Sequence, residues 1–211
     1  MRIFNSVMKQ RLSSRLFMGC IAAMLLTACG LIPSEEHRYQ LIGMGKVTSK
    51  SRHTHLSLLV MQPNAVDGYT TDRMLYVNKP FQLNAFARNA WMNPPAAMLQ
   101  PLLARSLESS HYFYAVTLEP NSSKTDYRLE STLMRLQQNF LVKPSHIQLA
   151  LQAVLTHVED NRLVATQDFY VDLPCLSDTP IGGVEAANQA TQRLTAQVAR
   201  FVINRVARDR R

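Results

Sequence analysis

The sequence predicts a single α+β domain in which a largely antiparallel sheet carries two main helices on one face. Three observations carry that expectation. From His146 to Leu155, Ile147, Leu149, Leu151, Ala153 and Leu155 alternate with His146, Gln148 and Gln152, the period of a half-buried strand. Val184, Ala187, Thr191, Leu194, Val198, Phe201 and Val202 recur at helical spacing, with Gln192, Arg193, Gln197, Arg200 and Asn204 off that stripe. The element order is strands, helix, four further strands, helix, which is an α+β layout.

The elements follow in order. Tyr39-Gln40-Leu41-Ile42 reads as a short first strand, and Gly43, Gly45 and Thr48 to Ser51 read as a loop. Leu56 to Met61 is a compact apolar run closed by Pro63, hence a buried strand. Asp67-Gly68 is a turn signal. Met74 to Val77 and Phe81 to Phe86 are strands joined across Asn78-Lys79-Pro80 as a hairpin. Asn93-Pro94-Pro95 starts a helix, asparagine as cap and proline in the first turn, with Met98, Leu99, Leu102, Leu103 and Leu107 on its inner face. Pro101 inside it removes one backbone hydrogen bond and predicts a kink.

Tyr112 to Leu118 is read as a strand. Tyr127, Leu129 and Leu133 then alternate with polar residues before the parity switches to Met134, Leu136 and Phe140, which predicts a bulge or a strand that changes facing. After the strand from His146, Asp160-Asn161 turns the chain, and Leu163, Ala165, Phe169 and Val171 return as an antiparallel partner. Gly182-Gly183 precedes the last helix.

The N-terminus has a different character. Arg2, Lys9, Arg11 and Arg15 precede a nearly continuous apolar run, Leu16 to Leu26, with no acidic residue before Glu35. That run has the length of a signal-peptide core and is too short to span a bilayer well. Leu26-Thr27-Ala28-Cys29 closes it as a bacterial lipobox: the Cys29 thiol takes a diacylglycerol and the peptide is cut before it. Only a thiolate is nucleophilic enough for easy thioether formation, and small residues let the strand fit the peptidase. An ordinary secretory signal with a chance cysteine is the plainer alternative. Cys20, after Phe17-Met18-Gly19, is a rival lipidation site that sits early in the run. Gly30 is not the aspartate that retains lipoproteins at the inner membrane, so the expected location is the periplasmic face of the outer membrane.

The chain of 211 residues has 23 basic and 15 acidic residues and a formal net charge of +8. Loss of the signal removes four basic residues and no acidic one, so half of that charge is targeting. Much of the rest lies in Arg193, Arg200, Arg205, Arg208, Arg210 and Arg211, either a contact for an acidic partner or the solvated face of a terminal helix. With Cys20 cleaved off and Cys29 acylated, Cys175 has no intramolecular partner, so no disulfide framework supports the fold.

Signs of catalysis are few. His53-Thr54-His55 lacks nearby acids for a metal site. There is no Gly-x-Ser-x-Gly elbow, and Gly43-x-Gly45 lacks the third glycine of a dinucleotide loop. Trp91, the single tryptophan, reads as a core anchor for the following helix. A non-enzymatic protein without cofactor, metal or nucleic-acid partner is expected.

The lipobox, Tyr39-Gln40-Leu41 and the Leu56 to Met61 strand followed by proline resemble the ABC-type transport auxiliary lipoproteins, the PqiC-like family. So do Gly68-Tyr69, Asp72-Arg73-Met74-Leu75-Tyr76-Val77, Trp91 before Pro94-Pro95, and Phe113-Tyr114-Ala115-Val116. Where family members often carry an aromatic pair before the tryptophan, this chain has Ala85-Phe86-Ala87. The resemblance implies a signal peptide at 1–28, a lipidated N-terminus and tether at 29–51, and the auxiliary domain at 52–211. It further implies an outer-membrane docking component of an intermembrane lipid-transport system, with an MCE-domain protein as partner and a homo-oligomeric ring as an available assembly. Arg193 and Arg200, seven apart on one helix face, are the candidate partner-binding residues, and Cys29 the palmitate-type lipidation site. A structural or secretion-related envelope lipoprotein, acting as an activator or pore partner without lipid cargo, is the competing reading.

Overall fold

The computed structural model describes residues 35–48, 54–121 and 123–210. The signal segment with Cys20, Cys29 and the residues up to 34, and residues 49–53 with Ser51 and His53, lie outside the described residues. Within Glu36–Arg211 the chain forms β1 (His37–Tyr39), β2 (Ser57–Val60), β3 (Asn64–Ala65), β4 (Arg73–Lys79) and β5 (Gln82–Trp91). Helix α1 (Pro95–Glu108) follows, then β6 (Ala115–Leu118), β7 (Tyr127–Asn139), β8 (His146–His157), β9 (Arg162–Pro174) and α2 (Pro180–Asp209).

Strand β7 organises the sheet. One edge pairs antiparallel with β8 along its length, and β8 pairs antiparallel with β9. The other edge is shared, in parallel, by β2 at Tyr127 to Leu129, β3 at Thr132 and Leu133, and β4 at Gln138 and Asn139. Beyond β2 lies β6, and beyond β4 lie β5 and then β1. The long ladders are therefore antiparallel, as expected, while the short ones to β7 are parallel. The predicted parity switch is a bulge: Leu133 pairs with Leu151 and Arg135 with Ala150, leaving Met134 exposed between them. That extra residue restores the facing, so Leu129, Leu133 and Leu136 all point into the core.

Both helices cover this inner face. Leu99, Leu102, Leu103 and Leu107 of α1 and Ala187, Leu194, Val198 and Val202 of α2 are buried with Leu149, Leu151 and Leu155 of β8. Helix α1 runs through Pro101 on its exposed side. Trp91 is buried at the end of β5, just ahead of α1.

Several boundaries differ from the sequence reading. The first strand is His37–Tyr39, because pairing with Asn89 to Trp91, rather than apolarity, defines it. Tyr112 and Phe113 are buried outside any strand, Tyr114 is exposed, and only Ala115–Leu118 pairs with β2. Pro94, not Asn93, is the N-cap of α1, with no side-chain cap bond. Phe81 belongs to the turn, and the second hairpin strand runs on to Trp91. Gly182 and Gly183 lie inside the first turn of α2, which Thr179 caps by accepting from the Gly182 N–H at 3.2 Å.

Candidate docking surfaces

The chain just after β1 is stitched into both helices. The Asn188 side chain on α2 accepts from the Ile42 and Gly43 N–H groups at 2.7 and 3.0 Å and donates to the Gln40 carbonyl at 3.2 Å. The Gly45 N–H donates to Thr195 Oγ1 at 2.9 Å, while its carbonyl accepts from Ser106 of α1 at 2.6 Å. Val47 N–H reaches Ser109 Oγ at 3.1 Å. The two glycines are required by closeness. A Cβ on Gly43 would lie 2.0 Å from the Asn188 carbonyl oxygen, and one on Gly45 2.2 Å from that of Gln192. A cleft of about 340 Å³ opens beside this segment, lined by Ile42, Met92, Met98 and Arg105 among others.

Helix α2 presents a narrow polar stripe outward. Arg193 and Arg200 are both exposed on it, and neither forms an ion pair with a described residue. Seven residues of helix separate them by ~10 Å along the axis. Arg200 also borders a shallow hollow between α2 and β9, with Asp168, Tyr170 and Asn204. Arg205 instead lies over the Phe201 ring, 5.7 Å from its centroid. The sheet face turned away from the helices is polar and cross-linked. Tyr69 donates to Gln137 at 2.5 Å, Gln137 to Gln148 at 3.0 Å, and Gln148 to Asp172 at 3.2 Å. Asp172 also takes hydrogen bonds from Tyr170 and His146. Burial pushes its carboxyl up, but these donors outweigh it and the pKa falls below the usual value.

The two ends of the sheet differ. At one end Asp209 accepts from both terminal nitrogens of Arg162, at 2.8 and 3.2 Å, and from the Tyr127 hydroxyl at 2.9 Å. Asp160 binds Arg162 and His157. The bond with His157 leads in drawing the Asp160 carboxyl down to about 2, and Arg162 likewise lowers that of Asp209. Burial first, then the bond to Asp209, raises the Tyr127 phenol. At the other end lie the β4–β5 turn, the β7–β8 turn and the β9–α2 loop, with Phe81, Leu83, Leu141, Val142, Leu176 and Ile181 exposed.

No group of three or more His, Cys, Asp or Glu among the described residues is placed to hold a metal ion. Cys175 is buried, and burial pushes its thiol pKa up, away from reactivity. Among the described residues no helix is long and apolar enough to cross a membrane. Arg193 and Arg200 share a face as their spacing predicts, while Cys29 lies outside the described residues. The Asn188, Thr195 and Ser106 clamp was missed, and only the Gly43-x-Gly45 pair hinted at a close approach.

A family model described as the ABC-type transport auxiliary lipoprotein component matches residues 39–199. Among solved structures, a Xanthomonas campestris protein of the DUF330 family aligns with a TM-score of 0.75 at 23% identity, covering 81% of this chain and 97% of its own. An uncharacterized protein aligns at 0.63 and 18% identity, covering 80% and 99%. Both likenesses concern the fold. No curated protein is significantly similar in sequence.

Proposed function

The chain belongs to the ABC-type transport auxiliary lipoprotein family, and from that premise we propose that it is the lipid-anchored docking component of an intermembrane lipid-transport system at the outer membrane. Cys29 carries the acyl chains. One chain binds a membrane only marginally, but a fully processed lipoprotein carries three, which hold it firmly. The segment from Cys29 to the start of β1 serves as lipidated N-terminus and tether, and the folded domain, which takes in Gln40 to Val47, presents the surface for an MCE-domain protein.

The observation that carries this reading is the way Gln40 to Val47 is bonded into both α1 and α2. Load on the tether passes directly to the helix that displays Arg193 and Arg200. Those two guanidinium groups, on one face and without an ion-pair partner among the described residues, suit an acidic partner surface. A ring of copies would multiply such weak contacts by avidity. The reading is non-enzymatic: binding and positioning account for the role.

Purification of the full-length protein from its own envelope in mild detergent, with mass spectrometry of what accompanies it, tests this. An MCE-domain protein is expected with the native chain and is lost when Arg193→Glu and Arg200→Glu are combined. Recovery of a synthase or secretion channel instead would move the assignment to a structural or secretion-related lipoprotein.

A further inference from the structure

We propose that the apolar end of the sheet, the β4–β5, β7–β8 and β9–α2 turns, rests on the bilayer that Cys29 anchors, so that Phe81, Leu141 and Val142 enter its headgroup layer. The inference rests on the anchoring reading given above.

Strand direction is the first argument. Strand β4 runs toward the Phe81 turn, and β5 returns from it antiparallel, with Lys79 opposite Gln82 and Arg73 opposite Ala90. Strand β1 lies parallel to β5, with Arg38 beside Ala90. The N-terminal end of β1 therefore faces the Phe81 end, and the tether joins the domain from that side. Six residue steps along β4, from Arg73 to Lys79, set the distance from the level of Arg38 to the turn at about 20 Å. The nine residue steps from Cys29 to Arg38 span at most about 32 Å. The tether therefore has length to spare for the turn to reach the membrane.

The composition of this end is the second argument. The register aligns Val77, Asn139, His146 and Pro174 across four strands, so the three turns are neighbours. They present Phe81, Leu83, Leu141, Val142, Leu176 and Ile181 to solvent. Soluble surfaces seldom gather so many large apolar side chains. Lys79 and Lys143 flank the Phe81 and Leu141-Val142 tips, placed for lipid phosphates. Asp178, the one acid in these turns, is occupied by the Ser145 N–H at 2.6 Å.

Phe81 supplies the third argument. It sits at φ 64° and is wholly exposed. After Pro80 this left-handed position normally takes glycine or asparagine. A bulky side chain there gains nothing from the core, because it touches none of it. The turn is held from behind by Tyr76, Phe86 and Phe140, whose ring centroids lie 4.6 to 6.3 Å apart. That cluster gives the tip a rigid base. Aromatic and lysine side chains together are the usual composition of a membrane-interface contact.

The test uses the full-length, processed protein reconstituted into phosphatidylethanolamine–phosphatidylglycerol vesicles. With the native thiol removed by Cys175→Ala, single cysteines for a polarity-sensitive fluorophore are placed by Phe81→Cys, Val142→Cys and, as a control on the polar stripe, Gln197→Cys. Flotation with the vesicles reports anchoring independently. The expected result is that all three variants float, and that the first two labels shift to the blue and are quenched several-fold more by lipid-borne quenchers than the third. Floating protein whose labels at 81 and 142 behave like that at 197 would overturn the membrane contact and leave anchoring intact. Labels that are dry but insensitive to lipid-borne quenchers would overturn it too, by placing the rim against another protein. Failure of the native chain to float would overturn both readings.

Discussion

At the Tyr127–Asp209 end of the sheet, side chains satisfy one another: Arg162, Asp160, Asp209, His157 and Tyr127 form a connected set. Its exposed apolar residues, Tyr114, Leu118 and Leu163, are divided between opposite edges of the sheet. At the Phe81 end the turns instead gather exposed apolar side chains and two lysines, Lys79 and Lys143, the second close enough to Asp178 to help lower its carboxyl. The same β7–β8–β9 ladder closes on charge at one end and on hydrocarbon at the other. Internal satisfaction suits an end surrounded by water. Unsatisfied apolar turns suit an end with something to lie against, and β1 enters the domain from that side.

The largest effect is expected at the seam between the ends. Gly45→Ala forces a Cβ against the Gln192 carbonyl oxygen and Ala196, and displaces Gly45 from Thr195 and Ser106. A loss of about 3 kcal/mol is expected in denaturant titration, with no preference for either end. Phe86→Ala should cost about 2 kcal/mol by removing the base of the hairpin, and should also weaken vesicle contact at position 81. If it lowers stability without changing that contact, the aromatic cluster does not serve the tip.

Asp209→Asn tests the charged end and should cost about 1 kcal/mol near neutral pH, the partner Arg162 being half-exposed and screened. The sign follows from the lowered carboxyl. Its contribution is present above the unfolded value near 4 and disappears as pH falls through the lower folded pKa. Native and variant proteins should therefore converge in thermal stability as pH falls below the usual carboxylate range. The smallest effect on stability is expected at the tip. Phe81→Asn should leave stability unchanged or raise it by up to about 1 kcal/mol, because asparagine tolerates the left-handed backbone, while vesicle contact falls. A substantial loss of stability would mean that Phe81 packs after all and would erase the contrast between the ends.

Much of the inner layer was legible in the sequence. The alternation through β8, the apolar stripe of α2 and the switch at Met134 are local signals, since burial on one face imposes a period on the residues that supply it. The parallel pairings of β2, β3 and β4 with β7 were not legible, because no local pattern says which distant strand a short apolar run will meet. Gly43 and Gly45 read as loop residues, although their role is to let backbone meet backbone on α2. The shared face of Arg193 and Arg200 followed from helical spacing. The apolar rim did not, since Phe81, Leu141 and Val142 look in sequence like any core residue and only the turns expose them.

The two-ended arrangement is tested most directly by photocrosslinking in living cells, with benzoylphenylalanine at position 81, 193 or 200 of the full-length protein. Lipid adducts are expected from position 81 and a protein adduct, with an MCE-domain protein, from positions 193 and 200. Protein adducts from 81 together with none from the helix would contradict it.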